Sequence, residues 1–145
     1  MSLEEMILRD EIRREPRSSG EIRRLLEAAS RRLEDAANTS IHPETRLEQA
    51  YHVILNCALT ALRTEGLRVV NSPGKHRNAL ESLMFTLGVA ADEVSYFQQL
   101  RDLRHRDIYE GSVHISERDA EDAVGAAATL LDKLRCWLEG RGSRL

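Results

Sequence analysis

The chain has 145 residues and a formal net charge of −3, which excludes a polycation built to coat nucleic acid. Charged residues make up 31% and hydrophobic residues 41%, a globular balance that predicts one domain able to bury roughly two thirds of its unfolded surface without metal or disulfide. Aromatic residues are only 4%, too few for a β-sandwich, so the expected class is all-α: a four- to five-helix up-and-down bundle on an Ala/Leu-rich core.

Residues 1–17 are charge-dense and end at Pro16; they are expected to be an N-terminal arm, either a short helix built on Leu3, Met6, Ile7 and Leu8 or a loosely ordered segment. Ser18-Ser19-Gly20 supplies a break and a cap before the bundle proper, residues 18–140. A first bundle helix is predicted from about Gly20 to Ala37, because Ile22, Leu25, Leu26, Ala29, Leu33 and Ala36 recur at steps of three and four. A second starts near Pro43, a residue favoured in a helix's first turn, and stops at Gly66. Its stripe Leu47, Ala50, Tyr51, Ile54, Ala58, Ala61 and Leu62 is flanked by further apolar residues, which puts this helix at the centre. Leu67–Lys75 holds the turn signal Asn71-Ser72-Pro73-Gly74.

A third helix covers about Lys75 to Leu87, and a fourth about Ala90 to Tyr109, with Val94, Phe97, Leu100 and one of Leu103 or Ile108 inward. The last opens on Ser116-Glu117-Arg118-Asp119, which reads as a capping box with Asp in the usual Glu position, and closes at Gly140. Residues 141–145 are a tail. Cys57 and Cys136 lie in apolar stretches with no metal or redox spacing and are expected to be small core residues of a reduced protein. No apolar leader or membrane-length run is present, so the expected location is the cytoplasm, without membrane contact.

The densest polar cluster is Arg101-Asp102-Leu103-Arg104-His105-Arg106-Asp107-Ile108-Tyr109. Helical spacing puts Arg101, His105 and Tyr109 on one stripe with Arg104 beside it. Such a stripe suits a phosphate: arginine for charge, histidine for proton transfer, tyrosine as a donor. It also suits a solvated helix C-terminus where cations complement the dipole. Lys75, His76 and Arg77 at the start of the third helix could likewise attract an anion or be a plain exposed turn. No metal set emerges from the five histidines, and no Walker, Rossmann or nucleophile-elbow motif is present, so no cofactor is expected.

Three blocks carry a family resemblance. They are the helix pair through Ala50-Tyr51-His52 to Leu62-Arg63-Thr64-Glu65-Gly66, the Gly74-Lys75-His76 helix start, and Leu103-Arg104-His105-Arg106-Asp107-Ile108-Tyr109-Glu110-Gly111 followed by Ile115–Ala120. Across residues 20–139 the chain resembles the HEPN superfamily of small helical domains. The resemblance implies a homodimer, commonly paired with a nucleotidyltransferase protein in a toxin–antitoxin system. It also implies an arginine, matched by Arg104, that holds an RNA or nucleotide phosphate, with Arg101, Lys75 and His76 nearby. The family's ribonucleases place a histidine after the motif arginine with four to six residues between them. Here Tyr109 stands five residues on, and tyrosine is a poor general base at neutral pH. The first expectation is therefore a phosphate-binding dimeric partner without catalysis. The alternatives are a metal-independent endoribonuclease using Arg104 with His105 or Tyr109, and a plain helical protein-interaction module.

Overall fold

The computed structural model describes residues 1–111 and 113–141, so the expected tail lies outside the described residues except for Arg141. The chain is all-α apart from one two-stranded sheet. Its elements are α1 (Leu3–Leu8), β1 (Ile12–Arg14), α2 (Ser19–Ala37), α3 (Pro43–Thr64), β2 (Leu67–Val69), α4 (Lys75–Thr86), α5 (Ala91–Tyr109) and α6 (Glu117–Gly140). No helix of the described residues is long and apolar enough to cross a membrane.

Helix α3 is the axis of the bundle. Its buried residues lie on more than one face, among them Leu47, Tyr51, Val53, Ile54, Cys57 and Ala61, and it packs against α2, α4, α5, α6 and β2. The main core joins it to Ala29 and Ala36 of α2, Leu80 and Leu83 of α4, Phe97 and Leu100 of α5, and Leu130, Leu131 and Leu134 of α6. The capping box at α6 is complete: the Ser116 hydroxyl accepts from Asp119 N, and the Asp119 carboxylate accepts from Ser116 N.

Of the two residues offered for the inward face of α5, Leu103 packs against the core and Ile108 is 48% exposed. Two details depart from the sequence reading. Cys136 is exposed, because α6 turns that side outward, whereas Cys57 is buried and its thiol is pushed up to about 12 by burial. The stretch after Gly66 opens with a strand before it turns. That strand, β2, pairs antiparallel with β1 in the register Ile12↔Val69, Arg13↔Arg68 and Arg14↔Leu67. Gly66 makes the reversal possible: its φ is +73°, a left-handed conformation natural to glycine, and its carbonyl accepts from Glu15 N at 2.9 Å.

The N-terminal segment has its own small core, in which Met6 and Ile12 meet Leu62 and Leu67. It is also held by charge. Arg63, 4% exposed, sends Nε to Glu21 Oε1 at 2.7 Å, Nη1 to the carbonyls of Glu15 and Leu67 at 3.1 Å each, and Nη2 to the carbonyl of Pro16 at 2.5 Å. Arg68 pairs with Glu15 and, through Nη2, with Glu21 at 2.9 Å. Burial alone would raise the Glu21 carboxyl, but hydrogen bonds from Arg63 and Arg68 outweigh it and hold it below the usual range. A second buried arginine, Arg46, bonds the Ala36 carbonyl at 2.8 Å and Glu121 at 2.8 Å, tying the end of α2 to the start of α6.

Candidate functional site

Two helix ends build the site. Helix α4 starts directly after the Ser72-Pro73-Gly74 turn, so Lys75, His76 and Arg77 occupy its first turn. The capping residue Gly74 offers no side-chain hydrogen bond, and the first turn has no acidic residue. Cations at a helix N-terminus oppose the helix dipole, so this end is poised for an anion that would relieve both. The C-terminal half of α5 faces it with Arg101, Arg104 and His105.

Between them lies a cleft of about 260 Å³. Its walls carry four formal positive charges, on Lys75, Arg77, Arg101 and Arg104, and two imidazoles, those of His76 and His105. Among the described residues, no carboxylate lines it. Five of the six residues named from sequence thus share one surface. The sixth, Tyr109, does not line the cleft: it lies one turn beyond His105, 70% exposed, with its ring centroid 4.7 Å from the imidazole.

Behind the cleft, α3 supplies a shell that the sequence reading did not single out as such. Glu48, Tyr51 and His52 lie one helical turn apart and meet Arg104. Arg104 Nε is 2.6 Å from Glu48 Oε2, and His52 Nε2 is 2.9 Å from Glu48 Oε1. The Arg104 guanidinium carbon sits 5.2 Å from the centre of the Tyr51 ring, within cation–π range. The arginine is therefore positioned by a carboxylate and an aromatic face, with only 19% of its side chain exposed. The Glu48–His52 step of four residues was the available signal, since such pairs share a helix face. Nothing local announced that Arg104 would reach them.

Electrostatics follow from this packing. Burial works to raise the Glu48 carboxyl, but hydrogen bonds from His52 and Arg104 lower it on balance. Burial pushes the Tyr51 phenol up to about 12, although Arg104 and Arg101 pull it down. The Tyr51 hydroxyl is buried and meets no hydrogen-bond partner among the described residues. The His76 ring centroid lies 6.4 Å from that of Tyr51. Burial first, and then the charges of Lys75, Arg104, His52 and Arg101, hold the imidazole below its ordinary value, which favours its neutral form. An anion in the cleft would reverse that preference.

Among the described residues, no group of three His, Cys, Asp or Glu side chains could hold a metal ion. Arginine and lysine in this arrangement are of the kind that can attract an anion, and the two imidazoles are of the kind that can transfer a proton. Comparison with known proteins adds no relative: no family model, no curated protein and no solved structure matches the chain.

Proposed function

We propose that this is a HEPN-like helical protein whose cleft binds the phosphate of a nucleotide or RNA, and that it works as the homodimeric partner of a nucleotidyltransferase. The observation that supports the reading is the cleft: Lys75, His76, Arg101, Arg104 and His105, named from two separate segments of the sequence, line one cavity beside the uncapped start of α4. Glu48 offsets the charge of Arg104 from behind, but Lys75, Arg77 and Arg101 add like charge to the same walls, and a phosphate is the anion whose charge and several acceptors suit them. Glu48 and Tyr51 behind Arg104 hold the group that would touch it.

The test is titration of the purified protein with inorganic phosphate, nucleoside monophosphates and a short oligoribonucleotide, against Arg101→Ala and Arg104→Ala. Binding that weakens about tenfold in each variant, equivalent to ~1.4 kcal/mol, supports the reading, as does a falling affinity at higher salt. The absence of binding to any phosphate compound would overturn it. Sedimentation and co-purification with a nucleotidyltransferase test the assembly separately.

One observation favours ribonuclease activity as a second reading: His105 lines the same cleft as Arg104. If His105 moves a proton in RNA cleavage, His105→Ala should slow the metal-free reaction roughly 10²- to 10⁴-fold. Equal cleavage by wild type, Arg104→Ala and His105→Ala would mean that the activity is not this protein's.

A further inference from the structure

A second cavity, of about 360 Å³, opens between α2, α3, β2 and the start of α4. Its volume falls in the range of roughly 300–1,000 Å³ typical of small-molecule sites. Leu25, Leu59, Leu62 and Val69 make its walls aliphatic, and Leu25, Leu59 and Val69 are only half-buried. Leucine and valine left open inside a concavity mark a place for an apolar occupant. Among the described residues no Phe, Tyr or Trp lines it, so these walls reward the burial of an aliphatic tail rather than aromatic stacking.

The charge around these walls is nearly all spent. Arg63 is saturated by four hydrogen bonds, to Glu21 and to the carbonyls of Glu15, Leu67 and Pro16. Arg68 is paired with Glu15 and Glu21. The two arginines and two carboxylates compensate one another, and burial holds the His76 imidazole toward its neutral form. Lys75 is what remains. Its Nζ meets only the neutral side-chain oxygen of Asn71, at 3.4 Å, among the described residues. The cavity thus combines an aliphatic lining with one uncompensated positive charge at its edge. We propose that it binds an unbranched aliphatic monocarboxylate of medium chain length, with the tail on Leu25, Leu59 and Val69 and the carboxylate on Lys75 Nζ.

The wall chemistry selects this class over its neighbours. A dianionic phosphate would meet one free cation here, whereas the cleft beyond adds Arg77, Arg101 and Arg104. Its remaining oxygens would lose water against leucine without gaining partners, which is costly. A neutral hydrocarbon satisfies the walls and leaves Lys75 unused. An amphipathic amine brings like charge to Lys75. A single negative charge on an aliphatic tail answers both features, and it does so whether or not the cleft takes phosphate.

The experiment is calorimetric titration of the full chain with butanoate, hexanoate, octanoate, octylamine and 1-octanol. Affinity should rise about fourfold for each methylene added from butanoate to octanoate, the contribution of one buried CH₂. Octylamine and 1-octanol should bind about tenfold or more weakly than octanoate, since neither makes the charge-assisted bond to Lys75. Lys75→Ala should bring octanoate down to the affinity of 1-octanol. Leu59→Trp, which fills the cavity, should abolish octanoate binding, and Leu25→Trp on the α2 wall should do the same, covering the case in which the first variant fails to fold. Any of four results would overturn the inference: no binding of octanoate, an affinity that does not change with chain length, octylamine or 1-octanol binding as tightly as octanoate, or octanoate binding untouched by either tryptophan. Inorganic phosphate titrated in parallel keeps the two sites apart. Its failure to bind would count against the cleft and not against this cavity.

Discussion

Replacing Arg63 with methionine keeps most of the aliphatic stem and removes the guanidinium. Four hydrogen bonds disappear, and the carbonyls of Glu15, Pro16 and Leu67 lose this donor. Glu21 keeps only Arg68. Hydrogen bonds to a charged partner contribute about 1.5–3 kcal/mol each, so a plain sum over four would exceed half the stability of a typical domain. The sum is not the expected loss, because a simpler escape exists: residues 1–17 can detach and rehydrate while the main core around α3 stays folded. That caps the cost near the ~3–5 kcal/mol seen when one partner of a buried ion pair is removed. For a chain of this size, each kcal/mol lowers Tm by roughly 2–4 °C, so Arg63→Met should melt about 6–20 °C below wild type. Limited proteolysis should cut first within residues 1–17, ahead of any cut in α3. Arg63→Lys should recover less than half of the loss, since one ammonium cannot reproduce the planar fork. A melting temperature within a degree or two of wild type, with the N-terminal segment still protected, would refute the reasoning.

Three further outcomes are expected. Glu48→Gln should lower stability by about 1–3 kcal/mol at pH 7, less than for a fully buried pair because both partners are partly exposed. Since the Glu48 carboxyl is held below 4.5 in the folded chain, its contribution is present above that pH and lost as pH falls through the folded value; denaturant titrations of the two proteins should therefore converge below about pH 4.5. Tyr51→Phe should be neutral or stabilising by up to ~1 kcal/mol, because it removes a buried hydroxyl without a partner and keeps the ring under Arg104; a loss above that size in thermal melts would mean that the hydroxyl is satisfied. For His76 the folded imidazole titrates below 6.5, so the unfolded chain takes up the proton first and stability falls as pH drops through about 6.5. His76→Gln should flatten that slope between pH 7.5 and 5.5, and added phosphate should flatten it in the wild type; parallel slopes for mutant and wild type would count against it.

The five main helices were legible because their signals are local: Pro43 at the start of α3, the Ser116/Asp119 box of α6, glycine after α3, and apolar residues at helical steps. The sheet was not legible, since Ile12 finds Val69 across the whole of α2 and α3 and neither three-residue strand has a pattern of its own. Nor were Arg46 and Arg63 visible as interior residues. A buried arginine looks like a surface one until the carbonyls and carboxylates around it are known. At the site, Arg101, Arg104 and His105 stood out as a cluster, and Lys75 and His76 as a helix start. That the two face each other depends on how α4 packs on α5. Glu48 and Tyr51 were missed as partners of Arg104 because their role comes from a side chain two helices further along the chain.

Helix α3 carries the centre of the core on one side and Glu48, Tyr51 and His52 on another. The same rigid rod that keeps the bundle folded therefore holds the shell behind Arg104. A core substitution such as Ile54→Val or Ala58→Gly that tilts or loosens this rod would displace the shell with it. Directed evolution toward new ligands would then meet an unusual constraint: side chains facing the cleft, such as Lys75 and Arg101, can be exchanged independently, but shifts in the position of Arg104 arrive coupled to heat resistance. Selecting first for thermostability in α2 and α6, away from the cleft, would widen the range of α3 variants the protein can tolerate.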